Sequence, residues 1–177
     1  MATQPPTPPT LKLLWTRLAF FVSVVGVVGS LYLSLDMNLK ACPLCYYQRT
    51  FIMAVAAVLG FGLFLPGVPN AALSPLTLAS AVGGAGIAVR HTYLDAIGVL
   101  ECPPGVTGLT APAESLIVFG LLVAFLVIDL FHQRVYVVQG VAAMLLGVVF
   151  ATTCIRAASD PPSPTGPIDG CRKVKKE

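Results

Sequence analysis

The stretch from Leu18 to Leu35 runs without a charged side chain, and a chain that repeats such stretches has few ways to fold. The hydrocarbon core of a bilayer is about 30 Å thick and is crossed by roughly 20 apolar residues in a helix. Further apolar runs, with charges only at Arg49, Glu114 and Asp129 near their ends, lie at about Tyr46–Leu65, Ala71–Val89, Glu114–Leu130 and Val135–Ile155. They lack the period-two alternation that a membrane β-barrel requires. Composition agrees, because 56% hydrophobic and 11% charged residues with a mean hydropathy of +0.83 are too apolar for a soluble domain. The expectation is an all-α membrane protein with five transmembrane helices. The net charge of +3 sits largely in the last few residues and gives no footprint for nucleic acid.

The runs divide the chain. Residues 1–17 read as a cytoplasmic proline-rich tail, since the prolines oppose helix and core alike, and Lys12 and Arg17 favour a cytoplasmic N-terminus before a retained anchor. Residues 18–155 read as the transmembrane domain, with outer-face loops at 36–45 and 94–113. Pro66-Gly67-Val68-Pro69-Asn70 and the polar residues from Asp129 to Arg134 supply the cytoplasmic turns. Residues 156–177 read as a flexible extracytoplasmic tail. Arg172, Lys173, Lys175 and Lys176 oppose that side, because basic residues prefer the cytoplasm; the length of the fifth run outweighs them. The small residues of the third run, Ala79 to Gly86, favour close helix packing over a groove for a flat ligand.

The chemistry is concentrated where the second run begins. Cys42 and Cys45 are spaced to close a small disulfide, and at a helix start the unpaired N–H groups and the dipole favour a thiolate. Pro43 suits the first helical position. Arg49 lies one turn below Cys45 on the same helix face. Five spans put Cys102, Cys154 and Cys171 on the same side as this pair. Each residue also has a plainer reading: cysteines serve as small hydrophobes, Arg49 as a snorkelling interfacial anchor, His91 as an interfacial histidine, and Glu101 and Glu114 as solvated loop residues.

The motif Cys42-Pro43-Leu44-Cys45-Tyr46-Tyr47-Gln48-Arg49 between two spans, with His91-Thr92-Tyr93-Leu94 closing the third and a cysteine soon after, resembles the disulfide bond formation protein B (DsbB) family. The resemblance covers about Leu11 to Leu130. It implies a four-helix transmembrane bundle, here with a fifth helix beside it, acting as a protein-disulfide:quinone oxidoreductase. Cys42–Cys45 would be reoxidised by a membrane quinone, ubiquinone or menaquinone. Cys45 would be the quinone-proximal sulfur and Cys42 the one exchanging with an outer pair. Arg49 would bind the quinone, with His91 close to it. The implied partner is a DsbA-like periplasmic oxidase of thioredoxin fold, and the implied location is the bacterial inner membrane with the cysteines on the periplasmic face.

The sequence departs from the family in its fifth span and in carrying only Cys102 in the loop between spans three and four. The expected partner of Cys102 is Cys171, because an exchange cysteine must reach both a soluble protein and the inner pair; Cys154 is the alternative. A non-enzymatic structural or transport protein with a structural disulfide is the least specific alternative, and two other functions fit less of the sequence than the family does. One is an enzyme resembling vitamin K epoxide reductase. The other is a metal-binding membrane protein using Cys42, Cys45, Cys102 and either Cys154 or His91 as zinc ligands.

Overall fold

Each long apolar run is a helix in the computed structural model, which describes residues 9–65, 70–133, 137–158 and 171–174. The order is α1 (Pro9–Leu35), α2 (Pro43–Phe64), α3 (Asn70–Ala96), β1 (Leu100–Glu101), α4 (Ala111–Gln133), α5 (Val137–Ala157) and β2 (Arg172–Lys173). All five helices are long and apolar enough to cross a membrane, and the molecule is a multi-pass membrane protein. Large apolar side chains such as Phe21, Phe61 and Val138 stay exposed around the bundle. Lipid tails are as apolar as these residues, so the bilayer gives no reason to bury them.

The helices outrun the apolar runs that announced them. α1 begins at Pro9 rather than Leu18, so residues 9–17 of the expected tail are helical; proline is tolerated in a first turn, where its missing N–H is not needed. Residues 1–8 of that tail, and most of the first cytoplasmic turn, lie outside the described residues. α3 continues through Arg90 to Ala96, beyond the Val89 end of the third run and into the expected outer-face loop at 94–113. The helical period is kept there: Arg90 and Tyr93 face outward while His91 turns inward and is fully buried.

Central α3 packs against α2, α4 and α5. Its small residues are used for close approach. A Cβ on Gly84 would fall 2.1 Å from the Phe119 ring of α4, and one on Gly147 of α5 would fall 2.7 Å from the Ala79 carbonyl of α3. Such approach is what holds helices together where lipid offers no hydrophobic contrast. At the far end of the bundle the buried Asp129 carboxylate accepts hydrogen bonds from Thr16 and Ser74, each 3.0 Å. This joins α1, α3 and α4.

At the other end the chain closes on itself. β2 pairs antiparallel with β1, with Leu100 opposite Lys173 and Glu101 opposite Arg172. The expected flexible tail is thus pinned at residues 171–174, while 159–170 and 175–177 lie outside the described residues. Arg172, one of the basic residues that argued against this side, forms an ion pair with Glu101 at 2.9 Å.

Candidate functional site

The start of α2 is built around its cysteines. Cys42 is the N-cap, with extended backbone, and its sulfur accepts the Cys45 backbone N–H at 3.2 Å. Pro43 occupies the first turn. The two sulfurs lie 2.8 Å apart as free thiols. The hydrogen bond from the Cys45 thiol holds the Cys42 pKa well below the ordinary thiol range, at about 5; burial opposes the shift, and contacts with His91 reinforce it. Cys42 is therefore the anion of this pair.

The second pair is made by the β clip. Cys102 follows β1, Cys171 precedes β2, and the two form a disulfide. The alternative partner, Cys154, remains a free thiol packed in the same apolar cluster as Cys42 and Cys171. Within the disulfide the sulfurs are not equivalent: Cys171 is buried and Cys102 is half-buried.

His91 lies between the pairs. Its Nε2 is 3.4 Å from the Cys102 sulfur and 3.8 Å from the Cys42 sulfur. Its Nδ1 is buried with no hydrogen-bond partner among the described residues. The ligating atoms of Cys42, Cys45, His91 and Cys171 all lie within 4.8 Å of one another. That compactness does not support the metal-binding reading, because the Cys171 sulfur is bonded to Cys102 and zinc takes a thiolate.

On the other side of Cys45, between α1, α2 and α4, is a cavity of about 360 Å³. Cys45, Gln48 and Arg49 line it, as does Cys171 of the outer disulfide; Cys42 and His91 do not. The resemblance put His91 beside a quinone, whereas here it faces sulfur. The guanidinium of Arg49 is anchored to α1: Nε donates to Ser30 Oγ at 2.9 Å, and Nη2 donates to the Ser30 carbonyl at 2.8 Å and to Ser34 Oγ. Nη1 makes none of these bonds. Val25 and Ile117 line the cavity and are also exposed on the outside of the bundle, so it opens sideways between α1 and α4.

Two lining residues were given no role in the sequence reading. Gln48 is buried, and its Nε2 has no partner among the described residues; its place between the motif cysteine and Arg49 was the available signal. Glu114, read as a solvated loop residue, accepts bonds from the Val106 N–H at 2.9 Å, the Thr107 N–H and the Thr107 hydroxyl at 2.7 Å. It thereby fixes the loop that roofs the cavity. Glu101, also read as a solvated loop residue, is the partner of Arg172.

The comparisons with known proteins point to one family. A family model described as disulfide bond formation protein DsbB matches residues 12–115. The chain is 27% identical over 121 residues to a probable disulfide formation protein of Chlamydia pneumoniae, covering 62% of this chain and 87% of that protein. It is 36% identical over 89 residues to disulfide bond formation protein B 2 of Burkholderia lata, covering 50% of this chain and 52% of that one. It is 32% identical over 98 residues to disulfide bond formation protein B of Acinetobacter baylyi, covering 52% and 57%. The matches thus span about half the length of these last two relatives. No solved structure matches the chain. The matched stretch contains Cys42, Cys45, Arg49, His91 and Cys102 and stops short of α5 and Cys171.

Proposed function

The chain belongs to the DsbB family, with a role in disulfide bond formation, and from that premise we propose that it reoxidises an extracytoplasmic DsbA-like dithiol protein of thioredoxin fold and passes the electrons through Cys42–Cys45 to a membrane quinone. On this reading it sits in the bacterial inner membrane with its cysteines on the periplasmic face. One observation carries the proposal: Cys45 lines the same cavity as Arg49 and Gln48, while Cys42 faces the outer disulfide through His91.

The residues fit a quinone. A buried amide N–H without a partner is unfavourable by about 1–3 kcal/mol, and a carbonyl oxygen in the cavity relieves that. Gln48 Nε2 is such a group, and the Nη1 of Arg49 adds a second donor. The apolar walls suit the ring, and the side opening suits an isoprenoid tail. Bound there, ubiquinone or menaquinone supplies the two-electron oxidant. Cys42, as the anion of the inner pair, accepts the Cys45 proton, and the two sulfurs need little movement to close.

Burial orders the other end of the relay. Half-buried Cys102 is the sulfur open to a soluble thiolate, and attack there releases Cys171 as a thiolate against the inner pair. Exchange then continues through a mixed disulfide.

The test is quinone reduction by the purified protein supplied with a reduced thioredoxin-like dithiol protein. A Cβ on Gly29 meets nothing within 4 Å, and Gly29 lines the cavity. Gly29→Leu therefore fills the cavity without displacing a helix, and turnover should fall to background, as in Cys45→Ser. Arg49→Ala should raise the KM for quinone. A wild type that reduces neither quinone, or a Gly29→Leu variant as fast as wild type, refutes the reading.

A further inference from the structure

Thiol exchange between two buried pairs creates a proton problem. An attacking thiol must lose its proton, and the sulfur it displaces must leave as a stabilised thiolate. Water solves this at a surface, but His91 is 0% exposed and Cys42 only 6%. Among the described residues the groups at this junction are few: Cys42 and Cys45 at the start of α2, His91 from α3, Cys102 from the loop and Cys171 from the clip. Only the imidazole among them accepts a proton without being consumed in the exchange.

We propose that His91 is a catalytic residue of the internal exchange, accepting the proton of Cys102 on Nε2 and, so charged, stabilising the Cys42 thiolate as it leaves. The inference rests on the relay proposed above and concerns the step between the pairs rather than the quinone. The second thiol of the soluble dithiol protein closes that protein's own disulfide and releases Cys102 as a thiol; once Cys171 has attacked the closed inner disulfide, Cys171 is joined to Cys42 and Cys45 is a free thiolate. The Cys102 thiol then attacks the Cys171 sulfur. A Cys102–Cys171 bond forms, the Cys171–Cys42 bond breaks, and Cys42 departs with the electron pair. Cys102 is oxidised, Cys42 is reduced, and the proton of Cys102 rests on Nε2 facing the Cys42 thiolate.

The structure has the arrangement of this product. The outer disulfide is closed, the inner pair is open, and Nε2 touches both the sulfur that attacked and the sulfur that left. These are the two ends of one exchange, with Cys171 as the central sulfur. The Nδ1 without a partner agrees with a proton carrier. A histidine held for structure has its second nitrogen tied, and that tie fixes its tautomer. Here no partner among the described residues fixes it.

The experiment needs no quinone. Fully oxidised protein is mixed with one equivalent of reduced thioredoxin-like dithiol protein, quenched over time with an alkylating agent, and mapped for free Cys102, Cys171, Cys42 and Cys45. In wild type the outer pair opens and thiols then appear at Cys42 and Cys45. In His91→Gln the outer pair should open while the transfer to the inner pair slows on the order of 100-fold, as expected for loss of general acid–base assistance. Opening of the outer pair reports that the variant is folded; if the Gln variant fails there, the smaller His91→Asn is read in the same way. Transfer at the wild-type rate in either variant overturns the proposal, as does loss of outer opening in both. Quinone added at the end reports the cavity step separately, so the relay to quinone can fail while His91 stands, and the reverse.

Discussion

The two cysteine pairs lie at one end of the bundle and are made in opposite ways. Cys42 and Cys45 share the first turn of α2, so the cap that starts the helix also sets their spacing and their anion. Cys102 and Cys171 are 69 residues apart, and α4 and α5 must both be in place before they meet. The first pair is local chemistry and the second is a product of topology. A pair built locally is hard to lose without losing the helix start, whereas a pair built by topology can be removed with the rest of the bundle intact.

The sharpest way to break this comparison is to remove one outer cysteine. Cys171→Ser should reduce oxidation of a soluble dithiol protein to background, because Cys102 then has no partner to release. The same variant should still pass electrons from dithiothreitol to quinone, because the inner pair, Gln48 and Arg49 are untouched and Ser replaces only one sulfur in the cavity wall. Cys154→Ser should change neither assay by more than about twofold, the scale of a typical mild surface or packing substitution. If Cys154→Ser matched Cys171→Ser, the outer pair in solution would not be the one in the structure.

A smaller effect tests the local pair. The thiolate is the reactive form, so alkylation of Cys42 in the reduced protein should hold its plateau as pH falls from neutrality and drop to half at about pH 5. An ordinary cysteine is half ionised at about 8.5. In linkage terms the folded value is depressed, so the stabilisation it brings is complete above the unfolded value and is lost as pH falls through about 5. Cys45→Ala removes the largest cause of the shift and should move the half-point upward by more than His91→Gln does. A half-point that ignores Cys45 would mean that the pair does not share its charge.

How much of this could be read from the sequence follows the same division. The five spans were legible because hydropathy over twenty residues is a strong signal, and the inner pair was legible because its geometry is set within four residues. Helix ends were not: nothing at Arg90 stops a helix, and whether it continues depends on the packing of His91. The outer pair was reached only because the family resemblance demands a second cysteine pair, with reach to a soluble partner deciding between Cys171 and Cys154. Arg49 was singled out, but Ser30 and Ser34, which aim it, belong to another helix whose register no local pattern gives. Glu114 looks like any acidic residue at a helix start until the chain folds the 105–107 loop onto it.

The smallest effect distinguishes what holds the clip. The Arg172–Glu101 ion pair is partly exposed, its side chains 25% and 46% accessible, and such pairs contribute about 0.5 kcal/mol. Glu101→Gln should therefore make the Cys102–Cys171 disulfide only about twofold easier to reduce in a glutathione titration, and high salt should erase the difference. The backbone is the stronger tie: the Val174 N–H donates to the Val99 carbonyl at 3.0 Å beside the two-residue ladder. Val174→Pro deletes that donor, which at about 1 kcal/mol for a backbone hydrogen bond makes the disulfide roughly fivefold easier to reduce. Topology made this pair, so the backbone rather than the surface charges should govern how readily it opens. A Glu101→Gln shift as large as that of Val174→Pro, persisting in high salt, would reverse that conclusion and make the outer pair a product of side-chain electrostatics.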